Sequence, residues 1–484
     1  MLMRFPRPHA DEAWMASRAW EFIQTGSTIG PLDRGVLDQI EGYRYFYPWL
    51  PTAIQSLGVR LIGEPSLFAI RLVSLFIGFF LLLAIYFIGL EMDGKKLGIL
   101  AVISTAFSYA FFFSAHFGRA DIIAATFGYA GLALLLNNRK PKEWLSALSG
   151  LLMIFAFEVH AYAAIFVPTA LALYLWKYKS EIFRKTDFWS YIGGVTIGML
   201  VYLGYHVFPA PQAFLKLNQV LFISTRTPPI LTFDYSIIIG EFKEMALMVV
   251  VVYPQIFLGI WAIFRLRKKR PAYLSTLLIL TGVMLMSFIL LVQNKFLLYY
   301  GILYSPALSL LFAAFFNDFL KKTVKSKAEH YLRHLIVIGI LILPVGYLIR
   351  FNSLPPYLKI QSELNSVVEP GDSIMANQLY WFGLSDYRYN SWGNIVYYRR
   401  FKPGSRLDDL LKLLQPDLFI IDGHVAGFIT DEIEGEKYFL ESKVPKSELE
   451  EFFDQYASLI KIINIENEDP VQIFRIHWDQ VPMD

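Results

Sequence analysis

Polar positions are sparse through the first three quarters of this chain. Apolar runs occupy about residues 67–90, 97–115, 119–137, 145–158, 161–177, 188–208, 244–265, 272–292, 296–317 and 334–350, separated by short polar breaks. A bilayer span takes about 20 predominantly apolar residues, so the pattern predicts ten membrane helices. The stretch 145–177 is too long for one span and short for two. Both its flanks are basic, so the chain must go out and return, with the apex near Glu158, Val159 and His160. At about 1.5 Å per residue, two such short helices leave that apex recessed in a pit.

Beyond residue 354 the period changes. A helix near 357–368, the strand Ser373-Ile374-Met375-Ala376, a helix 406–414, the buried-type strand Leu418–Asp422, a helix 447–459 and two late strands predict a small α/β domain. Ahead of the first apolar run, Trp14, Arg18 and Phe22 recur at helical spacing, and 49–62 is apolar on one side and stops at Gly63. Both stretches suit helices lying along the membrane interface. Between them, Gly42–Pro48 is dense in aromatics, which reads equally as an interfacial belt or as substrate contact. The expected organisation is a first outer loop at 1–66, a helical bundle at 67–351 and an α/β domain at 352–484.

Composition agrees with a bilayer protein: 55% of residues are hydrophobic, 16% aromatic and only 18% charged. The net charge of +3 conceals two bodies, because residues 355–484 hold 12 basic and 22 acidic residues and the rest of the chain 32 and 19. The basic excess is scattered between apolar runs, so it belongs to membrane loops and not to a nucleic-acid face. Nineteen lysines and arginines fall in one set of alternate loops, including Arg265–Arg270, against five in the other set, Arg119, Lys216, Arg226, Lys243 and Lys295. Basic loops stay in the cytoplasm, which puts residues 1–66 and the C-terminal domain outside. A long outer N-terminal segment rarely crosses without a preceding signal or helix, so an upstream helix is expected before residue 1. No cysteine is present, excluding disulfides and thiolate metal sites.

Charged groups at the outer loop ends supply the candidate chemistry. Asp11 and Glu12 open an amphipathic run; an acid pair there ordinarily serves the helix dipole, but at an outer mouth it also offers a proton acceptor. Asp11 is the candidate base, and Glu12 an orienting group or a helix-start acid. Arg119 either binds phosphate or pairs with Asp121. Lys295, one turn before Tyr299, either contacts phosphate or snorkels. His116, and His160 with Glu158, are candidate ligands for a divalent metal or hydrogen-bonded interfacial groups. The C-terminal domain carries no phosphate-binding glycine loop, and no organic cofactor is expected.

Asp11-Glu12, the run Gly42-Tyr43-Arg44-Tyr45-Phe46, the stretch Phe117-Gly118-Arg119-Ala120-Asp121, and Lys295 through Tyr299-Tyr300 into a span containing Pro306 resemble the GT-C glycosyltransferases. The likeness is in the style of protein O-mannosyltransferases (glycosyltransferase family 39) and lipid A aminoarabinose transferases, over roughly residues 9–320. It implies an all-α polytopic membrane bundle of GT-C type with an extracytoplasmic α/β domain. It further implies inverting transfer of a sugar from a polyprenyl-phosphate donor to a hydroxyl acceptor at the outer face of the plasma membrane. Asp11 is then the base, with Arg44, Tyr45, Arg119, Asp121, Lys295 and Tyr299 on the substrate. Some relatives carry Glu-Lys where this chain reads Tyr47-Pro48, so that contact does not transfer.

A transporter or flippase of a lipid-linked or anionic substrate would also place charges in a membrane bundle. Its usual paired halves and midplane breaks are not visible here. A scaffold presenting the outer domain leaves the acids and bases of the outer loops unexplained. Location alone suggests that the outer domain helps select the acceptor.

Overall fold

The computed structural model describes residues 2–3, 6–137, 143–220, 263–264, 273–292, 300–321, 327, 331, 334–335, 338–339, 342, 357–429, 444–465 and 469–482. The chain packs as two units, one of residues 1–6, 71–203 and 230–353, the other of residues 7–70, 204–229 and 354–484. The helices α1 (Ala10–Thr25) and α2 (Trp49–Ile62) belong to the second unit.

The first unit is helical. Its elements are α3 (Leu67–Asp93, entering at Arg71), α4 (Lys95–Ala106), α5 (Tyr109–Ala115), α6 (Asp121–Leu136), α7 (Glu143–Val159), α8 (Phe166–Tyr178) and most of α9 (Thr186–His206). After α10 (Pro211–Asn218), which lies in the second unit, come α11 (Leu274–Val292) and α12 (Ser305–Lys321). Lipid offers no hydrophobic drive for helix association, so close backbone approach through small residues takes its place. A Cβ at Gly194 of α9 would lie 1.9 Å from the Ala147 carbonyl oxygen of α7, and one at Gly150 of α7 would lie 2.3 Å from that of Tyr191. Nothing larger than glycine fits at either position. Inside the bundle the Tyr129 hydroxyl donates to the Leu303 carbonyl and accepts from the Ala307 N–H, both at 3.1 Å. On α3 the side chains of Phe76, Phe79, Phe80 and Phe87 are exposed, as a lipid-facing surface requires.

Among the described residues, three helices are long and apolar enough to cross a membrane, α3, α9 and Leu274–Leu291 of α11, or four if α4 and α5 form one span bent by 67°. The bend follows from local chemistry, because Ser108 Oγ accepts the Phe111 N–H and starts a new helix. Other apolar runs form shorter helices: α6 and α12 have 16 and 17 residues. The runs expected at 244–265 and 334–350 lie almost wholly outside the described residues. The stretch 145–177 breaks at His160, whose Nδ1 accepts the Tyr162 N–H and caps a 3-10 turn, Ala161–Ile165, before α8.

The second unit is built on a sheet of order β2-β1-β3-β5-β4. Strands β1 (Ser373–Ala376), β2 (Arg388–Ser391) and β3 (Leu418–Ile421) are parallel, while β5 (Val471–Ile476) runs antiparallel to β3 and to β4 (Ala457–Ile463). Strand alternation sends Ile374, Ala376, Leu418 and Ile420 to one face and Met375, Phe419 and Ile421 to the other. The second face is covered by α14 (Gly393–Phe401), α15 (Leu407–Leu414) and α17 (Lys446–Tyr456), whose chain neighbour α16 (Gly423–Ala426) follows β3. The first face is covered by α13 (Tyr357–Asn365), by the 3-10 turn Gln378–Gly383 and by α1. Ala13, Ala16 and Ala19 of α1 are fully buried in that core. Residues 7–70, read from sequence as a loop of their own with α1 along the interface, thus fold together with residues 354–484. Three alanines at a spacing of three present a small, flat face that fits a sheet domain closely.

A buried ion pair holds α1 to the chain that follows it. Arg18 donates from Nε and NH2 to the two Asp33 oxygens at 2.8 and 2.7 Å, and Asp33 also accepts from Trp14 Nε1 and from the Gly30 N–H. The Tyr47 ring lies 3.6 Å from the guanidinium. Burial by itself would lower the Arg18 pKa; Asp33 more than reverses this, so the pair stays ionised. Breaking a buried pair by removing one partner costs about 3–5 kcal/mol. Arg18→Met should lower stability by about that amount, read as denaturant-induced unfolding of the second unit in detergent; a variant as stable as the parent would remove the pair from this role.

Candidate functional site

Five polar or aromatic groups converge in the first unit, where α6 begins and α7 ends. Arg119 donates from Nε to Asp121 Oδ2 at 2.9 Å, and its NH2 lies 3.4 Å from the Tyr300 hydroxyl. Asp121 Oδ1 is 3.8 Å from His160 Nε2. The His160 and Tyr300 rings are 5.0 Å apart, and Tyr162 meets Tyr300 edge-on at 4.8 Å. The side chain of Arg119 is 13% exposed and that of Asp121 3%. Local sequence explains the arrangement: Asp121 lies in the first turn of α6, where an acid meets the positive helix end, and the break at His160 turns that ring toward it. Arg119 pairs with Asp121 through Nε, and this contact is compatible with a further role for the same guanidinium toward phosphate. Tyr162 was not singled out from sequence, its only signal being its place next to His160, and Tyr300 was quoted only within the run Lys295 to Tyr300, without a role of its own.

Asp11 and Glu12 lie in the first turn of α1 in the second unit and have different roles. Glu12 is fully buried, and its Oε2 accepts the His9 N–H at 3.1 Å while His9 Nδ1 accepts the Asp11 N–H at 3.1 Å, a reciprocal capping box. Glu12 is therefore the helix-start acid and not a proton-transfer group. The Asp11 side chain is 34% exposed, with one oxygen 3.6 Å from His9 Nδ1. A cavity of about 390 Å³ opens beside it, with His9 and Tyr357 on its wall and Asn377, Tyr380 and Asp422 at its base. Asp422 Oδ2 accepts from Asn377 Nδ2 and from the Tyr380 hydroxyl, each at 2.8 Å, and Oδ1 accepts the Val425 N–H. Burial, with Asp422 adding to it, pushes the Tyr380 phenol well above its ordinary pKa, so it stays a donor. At the rim, desolvation lowers the His424 imidazole below its ordinary value, opposed by Asp422 and Asp11 and reinforced by His9.

The remaining candidates separate. Arg44 is exposed and donates to the Tyr45 hydroxyl at 2.9 Å, and the Tyr45 carbonyl lies 2.7 Å from His206 Nδ1. Neither Arg44 nor Tyr45 lines the cavity. Lys295 and Tyr299 lie outside the described residues. Among the described residues, no group of three or more histidines and acids is placed to hold a metal ion. The trio His116, Glu158 and His160 fails for visible reasons. His116 Nδ1 is 2.8 Å from the Phe112 carbonyl with its ring stacked on Phe112 at 4.2 Å, and His160 is engaged at Tyr162 and Asp121.

Residues 47–206 match the family model for dolichyl-phosphate-mannose-protein mannosyltransferases. That span includes Arg119, Asp121 and His160 but not Asp11 or the sheet. No curated protein sequence matches the chain. Among solved structures, ArnT from Cupriavidus metallidurans bound to undecaprenyl phosphate aligns over 99% of this chain and 96% of its own, with a TM-score of 0.58 at 12% identity. The Archaeoglobus fulgidus oligosaccharyltransferase tethered to an acceptor peptide with the NVT sequon aligns over 100% of this chain and 73% of its own, with a TM-score of 0.55 at 12% identity. The archaeal oligosaccharyltransferase AglB from the same organism, in complex with an inhibitory peptide and a dolichol-phosphate, aligns over 100% and 73%, with a TM-score of 0.51 at 12% identity. At such identities the likeness is one of fold, and that fold is the GT-C glycosyltransferase fold, a helical membrane bundle with a C-terminal α/β domain.

Proposed function

We propose that the chain transfers a sugar, with inversion, from a polyprenyl-phosphate carrier to a hydroxyl acceptor at the outer face of the cell membrane. The observation that carries this reading is the Arg119 group: a largely buried guanidinium oriented by Asp121 and facing the Tyr300 hydroxyl. A cation in that setting, less screened than in water, suits a lipid-linked phosphate. Support comes from ArnT and AglB, solved with undecaprenyl phosphate and dolichol-phosphate respectively.

In the proposed step, Asp11 accepts the proton of the acceptor hydroxyl as its oxygen bonds to the anomeric carbon. The bond from that carbon to the phosphate oxygen breaks, and the electron pair leaves with the lipid phosphate. Arg119 stabilises the charge gained by the departing group. One displacement at one carbon inverts its configuration. The outer face is inferred from the basic alternate loops.

Asp11→Asn removes the proton acceptor, and turnover should fall by about 10²- to 10⁴-fold in a membrane assay with labelled polyprenyl-phosphate sugar. Near-normal turnover would take Asp11 out of the step. Arg119→Ala should weaken donor engagement by about 10- to 150-fold, the equivalent of one charge-assisted hydrogen bond of about 1.5–3 kcal/mol. Its acceptor dependence should stay unchanged; equal losses on both substrates would contradict the phosphate role. Because the chain has no cysteine, a single Asn365→Cys is an unambiguous reporter. It should react with a membrane-impermeant maleimide on intact cells, and labelling only after permeabilisation would reverse the orientation.

A further inference from the structure

The connections within the second unit reverse at one point of the sheet. After β1 the chain leaves by the 3-10 turn Gln378–Gly383 on one face to reach β2. After β2 it returns by α14 and α15 on the other face to reach β3, on the far side of β1. In open α/β sheets, ligands bind in the crevice at the carboxyl ends of the two strands flanking such a reversal. The cavity beside Asp11 occupies that place. Asn377, Leu379 and Tyr380 follow β1, and Asp422, Gly423 and His424 follow β3. Its volume of about 390 Å³ lies in the range of small-molecule sites, ~300–1,000 Å³.

We propose that this cavity binds a sugar ring of the acceptor, which makes the acceptor a carbohydrate; the transfer onto it rests on the function proposed above. The base is pre-ordered, since Asp422 is fully engaged with Asn377, Tyr380 and Val425 and so fixes the cavity's shape. Ligand contact falls to the rim. Asp469 has no hydrogen-bond or ion-pair partner among the described residues, and its Oδ2 would lie 2.7 Å from a Cβ at Gly423. His424 faces the same opening. A carboxylate, an imidazole and phenols around the aliphatic Ile360, Leu379 and Val471 match hydroxyls on one side of a sugar and C–H groups on the other. The lining carries two carboxylates, Asp422 and Asp469, against one guanidinium, Arg7, a balance that disfavours an anionic ligand. A peptide is disfavoured because strand addition needs a sheet edge, and β1 and β3 are interior strands. His9 lines the cavity and stands 3.6 Å from Asp11, which puts a bound hydroxyl near the proposed base.

The test is saturation-transfer NMR on the full chain in detergent. The probes are methyl α-mannopyranoside, methyl β-glucopyranoside and methyl α-arabinofuranoside, with a blocked serine tripeptide as comparison. At least one glycoside should contact the parent protein. Asp469→Asn and His424→Ala, both at exposed positions and checked for unchanged thermal unfolding, should each weaken that contact by about 10-fold. Glycoside contact that is absent, or that neither variant changes, overturns the proposal, as does tripeptide binding lost in the variants. The two readings fail separately. Glycoside binding through Asp469 and His424 without any sugar transfer rejects the transferase and leaves the cavity, whereas transfer to a peptide with no glycoside binding rejects the cavity and leaves the transferase.

Discussion

The buried Arg18–Asp33 pair is the constraint on which the second unit depends. Two charges removed from water gain little net stability by themselves, yet separating them once buried is expensive. That asymmetry makes the position of α1 nearly all-or-none. The Trp14 indole, the Gly30 N–H and the Tyr47 ring satisfy what remains of the pair. With α1 fixed, its alanine face seals the sheet, and His9 and Ala10 at its start line the cavity next to Asp11. The two adjacent acids differ in burial: Glu12 is fully buried and ties the helix start, whereas the Asp11 side chain is 34% exposed beside His9.

The first unit answers to a different solvent. Where lipid surrounds the helices, packing comes from glycine contacts such as those of Gly150 and Gly194, and polar groups must find partners inside. The Tyr129 hydroxyl does so with the backbone around α12. In the Arg119, Asp121, His160 and Tyr300 group the same demand is met in part: Asp121 Oδ2 accepts from Arg119, while Oδ1 is 3.8 Å from His160 Nε2. A charge retained in such a place is costly, which gives the pair Arg119–Asp121 its functional interest over an ordinary surface ion pair.

Periodicity made most of the helices legible, though not α10 or α14, and it located strands β1 and β3, because an uninterrupted apolar run such as Leu418–Ile421 has few other readings. Strand β2 was not found: Arg-Tyr-Asn-Ser has no apolar period, and its pairing to β1 comes from the tertiary fold. The helix α1 was visible in the spacing of Trp14, Arg18 and Phe22, but its environment was not. An amphipathic period states that one face is covered without stating whether lipid or protein covers it. The bend between α4 and α5 was hidden for a related reason, since a Ser108 cap inside an apolar run changes mean hydropathy very little. At the site, sequence indicated Arg119, Asp121 and His160 by charge and position. It could not separate Asp11 from Glu12, because that difference rests on which side chain the backbone of His9 recruits.

The proposed reaction is a single displacement at the anomeric carbon with a carboxylate taking the acceptor's proton. Product stereochemistry tests it most directly. A polyprenyl-phosphate sugar of known anomeric configuration is supplied to the purified chain, and the one-bond C–H coupling at the anomeric centre of the isolated product is measured by NMR. A single displacement gives the opposite configuration to the donor. A product with the donor's configuration would require a second displacement and a nucleophile that the assignment of Asp11 does not provide, and would contradict it.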